Sequence, residues 1–110
     1  MNDGAFTRIP DPTITPRRIC NAVARFYGLR FVDMRARSRA DYLAEARRLA
    51  CYMLRELAGM SYPKIGAYMQ RDHTTIMSAC REVRRRLTRW PDGPTADSVA
   101  QVRMYLAGNK

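Results

Sequence analysis

The sequence has little histidine and few acidic residues. One His occurs among 110 residues, and ten Asp and Glu oppose twenty Lys and Arg. The three cysteines form no CxxC pair, so the ligand spacing of a zinc site is absent. A single His without a neighbouring Ser, Cys or carboxylate pair offers little catalytic chemistry. We therefore expect neither an enzyme nor a cofactor, and no metal site. We expect the cysteines to be buried free thiols.

Long apolar runs and targeting signals are also missing. No stretch approaches the roughly 20 apolar residues that span a bilayer, so no membrane partner is expected. The first residues lack the basic and apolar regions of a secretion signal. No GxxxxGK[ST] string occurs, so nucleotide-driven steps are not expected from this chain alone. These absences predict a small cytoplasmic protein. Residues 1–14 are expected to form a flexible N-terminal tail.

Positive charge is what the sequence has in excess. The formal net charge is +10, and 18 of the 20 basic residues are Arg. The surplus lies in two blocks, at residues 17–48 and 81–89. Arg forms bidentate contacts with phosphate and with guanine. A codon bias explains the ratio of Arg to Lys equally well, but it does not explain the excess over acidic residues. The charge indicates a polyanionic partner.

Apolar residues recur at helical spacing, and no stretch is typical of a strand. A first helix is expected from its N-cap Thr15 to Gly28, followed by a short helical turn over 31–36 around Val32 and Met34. The strongest signal is a helix over 41–57, capped by Asp41. Its apolar stripe consists of Leu43, Ala46, Ala50, Met53, Leu54 and Leu57. The class is therefore all-α, a bundle of about five to six helices.

A short helix, a tight turn and a longer helix then follow. Ser61 is expected to cap the short helix, and residues 70–72 form the turn. Asp72 or His73 opens the longer helix, and a last helix starts at Thr95 after the break at 90–94. The inward residues predicted for these three helices are Ile65, Ala67, Met69, Ile76, Ala79, Cys80, Val83, Leu87, Val99, Val102 and Leu106.

Residues 62–87 thus have the layout of a helix-turn-helix. In that motif the first turn of the second helix meets base edges in the major groove. Here that turn carries short polar groups with donors, acceptors and methyl groups, namely Arg71, Asp72, His73, Thr74 and Thr75. From the residues alone, a purely structural alternative stays open: Asp72 is only an N-cap, and the arginines of 81–89 form a solvated face.

A resemblance supports the functional interpretation. The string Arg71-Asp72-His73-Thr74-Thr75-Ile76, followed by Ala79-Cys80, resembles the signature of domain IV, the C-terminal DNA-binding domain of the bacterial chromosomal replication initiator DnaA. Residues 44–57 resemble its long basic helix, and residues 61–66 resemble the motif before its helix-turn-helix. The resemblance covers roughly residues 14–88. It implies the DnaA domain IV fold, which is Trp-repressor-like, here as a stand-alone protein without the ATPase domain.

The resemblance also implies roles for individual residues. Among the positions expected to read bases, Asp72, His73 and Thr74 match residues that do so in the major groove, and Arg39 matches an arginine that enters the adjacent minor groove. Pro63 matches a position that touches a base at the start of the motif, and Thr75 matches a contact to a phosphate and a thymine methyl group. The positions expected at the DNA backbone are Arg37, Arg47, Arg48, Arg55, Lys64, Arg71 and Arg81. The sequence departs from the family in the turn, where Met69-Gln70 stands in place of one or two Gly. It departs again at Asp41 and Glu82, where the family often has basic residues.

Together these features predict a helix-turn-helix DNA-binding domain over 15–89, with 90–110 as linker and C-terminal helix. The expected function is sequence-specific binding of double-stranded DNA at an element resembling the DnaA box. The expected role is regulation of replication initiation or transcription at the nucleoid. The alternative is an interaction module that keeps the fold as a scaffold and uses residues 95–108 to form a homodimer or bind a protein partner.

Overall fold

The computed structural model describes residues 14–36 and 40–108, and within these ranges it contains helices and no strand. The helices are α1 (Pro16–Phe26), α2 (Phe31–Arg35), α3 (Asp41–Ala58), α4 (Tyr62–Met69), α5 (His73–Arg89) and α6 (Pro94–Gly108). The predicted all-α class is confirmed. The predicted tail falls almost entirely on residues 1–13, which lie outside the described residues.

Helix α3 lies at the centre of the bundle, where it packs against α1, α2, α4 and α5. All six helices contribute to one apolar cluster. Its largest fully buried side chains include Ile19, Val23, Met34, Met53, Leu54, Ile65, Met69, Ile76 and Val102. Because α3 touches four other helices, its apolar stripe organises the core, as its periodicity predicted.

Several helix ends form as the sequence predicts. The Thr15 hydroxyl accepts the Arg18 N–H at 3.2 Å, and the Ser61 hydroxyl accepts the Lys64 N–H at 3.3 Å. These bonds satisfy backbone donors that a helix start leaves without partners. At the other end of α3, Gly59 takes the left-handed conformation with φ 64°. That conformation favours glycine, which explains why α3 stops there.

Two local predictions were wrong. Asp41 is the first residue of α3 and not its cap, since Ala40 occupies the N-cap position; an acidic side chain there still interacts favourably with the helix dipole. Ala67 is exposed, because the inward face of the short α4 consists of Ile65, Gly66 and Met69. The short helical turn predicted around Val32 and Met34 is confirmed as α2, in which Met34 is buried and Val32 is 60% exposed.

The turn between α4 and α5 depends on close backbone contact. The Arg71 N–H donates to the Gly66 carbonyl at 2.8 Å, and a Cβ on Gly66 would lie 2.7 Å from the Arg71 carbonyl oxygen. Gly66 therefore lets the turn lie directly on α4. Gln70 takes the left-handed conformation, with φ 59°, and it is the non-glycine residue with positive φ in the described ranges. The turn thus forms without the glycines of the family pattern, at the cost of strain at Gln70.

Helix α6 packs against α1 in the same core. Val102 is fully buried and Leu106 is 7% exposed. The Arg18 guanidinium donates to the Leu106 carbonyl at 3.2 Å, and the Arg25 guanidinium lies 4.5 Å from the centre of the Tyr105 ring. The inward residues predicted for the last helix are therefore covered by the chain itself.

Replacing Gln70 by glycine tests the strain in the turn. We expect Gln70→Gly to raise the free energy of unfolding by about 0.5–1 kcal/mol. The strain relieved in the folded state should outweigh the additional conformational entropy that glycine gives the unfolded chain. Urea denaturation measures the change. Gln70→Ala keeps the strain and serves as the control. A glycine variant no more stable than the alanine variant would contradict the expectation.

Removing side-chain volume from α6 tests whether this helix belongs to the core. We expect Val102→Ala to lower the free energy of unfolding by about 2 kcal/mol, because it leaves a cavity among buried residues. Met104→Ala on the same helix is the matched control. Met104 is 64% exposed, so its truncation should change stability by less than about 0.5 kcal/mol. Equal effects of the two substitutions would mean that α6 does not pack as described.

Candidate nucleic-acid interface

The first turn of α5 presents polar side chains to solvent on a fixed backbone. Asp72 is the N-cap, and its Oδ1 accepts both the Thr74 N–H and the Thr74 hydroxyl, each at 2.8 Å. These two bonds hold the pKa of Asp72 below its usual range, with the backbone N–H as the larger cause. The carboxylate therefore stays ionised and acts as an acceptor only.

The neighbours of Asp72 remain accessible. The side chain of His73 is 56% exposed and that of Asp72 is 68% exposed, and the His73 Nδ1 lies 3.6 Å from Asp72 Oδ1. Thr74 and Thr75 are exposed as well. The structure thus brings four of the predicted base-reading residues together on one helical turn. A ring nitrogen, hydroxyls, methyl groups and a carboxylate are the groups that distinguish base edges in a major groove.

Two further predicted contacts stand at the start of α4. Pro63 and Lys64 are exposed in its first turn. Tyr62, which precedes them, accepts from the Arg84 guanidinium at 3.4 Å through its hydroxyl oxygen. Arg84 is ten residues beyond Thr74 on α5, a distance of about 15 Å along the helix. Pro63 and Lys64 therefore lie closer to the later turns of α5 than to its polar first turn.

Arg47 and Arg71 meet at one carbonyl group. Both guanidinium groups donate to the Ala36 carbonyl, Arg71 at 2.7 Å, and Arg47 also donates to the Met34 carbonyl at 2.7 Å. Burial, and then the charge of Arg71, lower the pKa of Arg47 from its usual value. The two arginines thus hold the end of α2 against α3 and the turn. Arg37 and Arg39, predicted at the backbone and in the minor groove, lie outside the described residues.

Other arginines have partners within the fold. Arg48 pairs with Glu45, and Arg86 pairs with both Glu45, at 3.0 Å, and Glu82, at 2.8 Å. Arg55 donates to the Met60 carbonyl at 3.0 Å and lies 4.3 Å from the centre of the Tyr62 ring. These contacts join α3 to α4 and to α5. Arg48 and Arg55, predicted at the DNA backbone, thus also have structural contacts.

A cleft of about 570 Å³ runs between α3 and α5. Its floor includes Cys51, Met69 and Ile76, and its rim includes four arginines. These rim residues are Arg47, Arg48, Arg71 and Arg86. From α5 the polar lining of the cleft includes Thr75, Ser78 and Glu82, and the Glu82 carboxylate is already paired with Arg85 and Arg86. A phosphate entering beside the polar first turn would therefore meet hydroxyl and guanidinium donors together. Ser78 was not among the predicted site residues, although its spacing of three from Thr75 places both on one helix face.

The cysteines have the predicted environment. Cys20, Cys51 and Cys80 are buried free thiols. Burial raises the pKa of Cys20 and Cys51 to about 12 and that of Cys80 to about 11. Thiols held in the neutral form are poor nucleophiles and poor metal ligands. Across residues 14–36 and 40–108, no group of His, Cys, Asp or Glu is arranged to hold a metal ion. No helix in these ranges is both long and apolar enough to cross a membrane.

Comparison with known proteins identifies similar sequences. The family model described as the bacterial dnaA protein helix-turn-helix matches residues 16–83. The chromosomal replication initiator protein DnaA of Cutibacterium acnes is 43% identical over 72 residues, which cover 64% of this chain and 14% of that protein. The protein of the same name from Corynebacterium jeikeium is 39% identical over 79 residues, which cover 71% of this chain and 14% of that protein. The match therefore spans about one seventh of the length of each relative.

The network around Glu82 predicts a pH dependence of stability. Arg85 and Arg86 donate to the Glu82 carboxylate at 2.8–3.0 Å and lower its pKa from 4.5 to about 2. A carboxyl group whose pKa is lower in the folded state stabilises the fold above its unfolded pKa and stops doing so as it becomes protonated. The contribution of Glu82 should therefore be complete above about pH 5 and should vanish as the pH falls towards 2.

Thermal unfolding of the wild type and of Glu82→Gln, followed by circular dichroism across this pH range, measures the effect. We expect the wild type to have the higher Tm at neutral pH and the two values to converge in acid. Because Glu82 and Arg86 are half-buried and Arg85 is exposed, the ion pairs remain in contact with solvent and added salt should reduce the difference. Asp92→Asn removes the same charge in an exposed turn outside the network and serves as the control. A difference between wild type and Glu82→Gln that does not change with pH would contradict the assignment.

Proposed function

This chain belongs to the family of the bacterial DnaA helix-turn-helix domain, and from that premise we propose that it binds double-stranded DNA sequence-specifically at an element resembling the DnaA box. The observation that carries the proposal is the exposed, capped first turn of α5 beside an arginine-rimmed cleft. The family model describes a helix-turn-helix, not a catalytic domain. A role in binding is therefore the function that fits these residues.

The proposed reading group is the first turn of α5. His73 and Thr74 offer a ring nitrogen and a hydroxyl to base edges, and the Thr75 methyl group suits thymine. Asp72 has one oxygen engaged by the cap, so its remaining acceptor capacity is available to a cytosine amino group. Pro63 is proposed to touch a base from the start of α4. Arg39 is proposed to enter the adjacent minor groove.

The proposed phosphate contacts surround this turn. The cleft beside Thr75 collects Arg47, Arg48 and Arg71, and a phosphate there would replace or share their internal partners. Lys64 and Arg81 are exposed on α4 and α5, and Arg37 and Arg55 complete the predicted set. Such contacts position the protein and carry affinity, whereas the base contacts carry sequence preference.

The proposed biological role is regulation of replication initiation or transcription at such elements, in association with the nucleoid. The alternative role, an interaction module that uses residues 95–108, requires an apolar face on α6. On that helix Val102 and Leu106 are buried against the rest of the chain, Val99 and Tyr105 pack partly buried against the same core, and Met104 alone is a large exposed apolar side chain, too little for an apolar face. No observation on α6 therefore favours a homodimer or a protein partner over DNA.

Substitutions in the first turn of α5 test the proposal. We expect His73→Ala and Thr75→Ala each to lower affinity for a duplex carrying a DnaA box about tenfold, because one base or phosphate contact is lost. Affinity for a scrambled duplex should fall much less with His73→Ala. Fluorescence anisotropy with labelled duplexes at one fixed salt concentration measures both affinities.

Met104→Ala is the control, since Met104 is 64% exposed on α6 and belongs to neither proposed DNA-contacting surface. It should leave the preference for the box unchanged. Circular dichroism verifies that each variant folds. If the wild type binds the box and the scrambled duplex equally, or if His73→Ala keeps the full preference, then α5 does not read bases as proposed.

A further inference from the structure

The end of α5 carries a second exposed basic surface. Arg81, Arg85 and Arg89 follow one another at intervals of four residues, so they lie along one face of the helix. Trp90 comes directly after them and is 51% exposed. We call these four residues the Trp90 surface. An open groove of about 620 Å³ runs along its arginines and is lined by Arg81, Arg84, Arg85, Thr88 and Arg89, with Trp90 beyond its end.

Trp90 is held in place although it is not buried. Its backbone N–H donates to the Arg86 carbonyl at 2.8 Å, and its backbone carbonyl accepts the Gly93 N–H at 3.0 Å. A Cβ on Gly93 would lie 2.8 Å from the Trp90 Cβ, so only glycine allows this turn to close so tightly. The guanidinium groups of Arg85 and Arg89 lie 5.8 Å and 5.7 Å from the centre of a Trp90 ring. The indole therefore lies on a fixed turn of backbone and beside two guanidinium groups.

The charge of this surface is only partly balanced. Glu82 neutralises Arg85 together with Arg86, and Glu56 pairs with Arg84 at 3.5 Å. Among the described residues, no carboxylate is within ion-pair distance of Arg81 or Arg89. A row of three guanidinium groups that carries a single carboxylate partner favours a partner with regularly spaced negative charges.

The Trp90 surface is separate from the polar first turn of α5. Arg85 is eleven residues beyond Thr74, which corresponds to about 16 Å along the helix, and Arg89 is about 22 Å away. The family match ends at residue 83, so most of this surface lies beyond it. Base reading by the first turn therefore does not account for an exposed tryptophan here.

We propose that the Trp90 surface binds single-stranded DNA, with one base stacked on Trp90 and successive phosphates on Arg81, Arg85 and Arg89. Unpaired bases offer flat faces to an aromatic side chain, and a basic groove follows the backbone. In a duplex the bases stack on one another, so only its phosphates would be used and the indole would have no role. An acidic peptide would likewise match the arginines and leave the indole unused.

Trp90 is the only tryptophan of the chain, so its fluorescence reports on this surface alone. The full chain is titrated with oligo(dT) of about 15 nucleotides, long enough for one groove of this kind. We expect saturable quenching of the Trp90 emission. A box-free duplex of the same length is expected to cause no comparable quenching. A duplex carrying the box is expected to compete only weakly with the oligonucleotide, since Arg81 is the one residue that belongs both to this surface and to the proposed duplex contacts.

Variants locate the contact. With labelled oligo(dT) and anisotropy detection, Trp90→Ala should weaken binding about tenfold, the contribution of one stacked base, and Trp90→Phe less. Arg89→Ala should weaken binding and flatten its salt dependence, because one phosphate contact is lost. Arg17→Ala removes an exposed arginine from α1 and is the control. His73→Ala should leave this binding unchanged, so failure of base reading and failure of this proposal are distinguishable.

Four results would overturn the proposal. The first is equal quenching by duplex and single strand, which would assign the surface to duplex phosphates. The second is equal quenching by a poly-glutamate peptide, which would assign it to an acidic protein. The third is tighter binding of an RNA oligonucleotide by more than about tenfold, which would exclude DNA as the preferred strand. The fourth is unchanged oligonucleotide affinity in folded Trp90→Ala.

Discussion

The backbone contact between α4 and the turn before α5 is the constraint on which the candidate interface depends. Gly66 lacks a Cβ, so the Arg71 N–H reaches the Gly66 carbonyl at 2.8 Å and the turn lies directly on α4. Gln70 accepts the left-handed conformation that closes the turn. Asp72 then caps α5. The angle between the two helices, and the exposure of His73 and Thr74, follow from this contact.

Several arginines hold helices together and also border the candidate interface. Arg47 and Arg71 hold carbonyl groups at the end of α2, and Arg86 joins α3 to α5 through Glu45 and Glu82. These same side chains form the rim of the cleft beside Thr75. A guanidinium group has five donors, so one side chain can hold the fold and still present donors to an anion. Structural and binding roles of these arginines are therefore compatible.

The sequence predicted the helices well where the signal was local. The caps Thr15, Ser61 and Asp72 are side chains that bond to backbone groups two or three residues away, so their role is encoded within a few positions. The error at Ala67 has a physical cause. Ala67 lies in a helix of eight residues, and in so short a helix apolar spacing does not determine which side chains meet the core.

The sequence by itself determined the all-α class, the helix-turn-helix and the polar string from Arg71 to Thr75, because periodicity, capping and a short motif are local properties. Only the tertiary structure decided which arginines pair with Glu45 and Glu82, that Ser78 shares a cleft with Thr75, and that Trp90 lies beside Arg85 and Arg89. Those relations depend on which helix faces meet. The acidic residues of the sequence are too few to pair every arginine of α5: Glu82 pairs with Arg85 and Arg86, and Glu56 pairs with Arg84, whereas among the described residues no carboxylate is within ion-pair distance of Arg81 or Arg89.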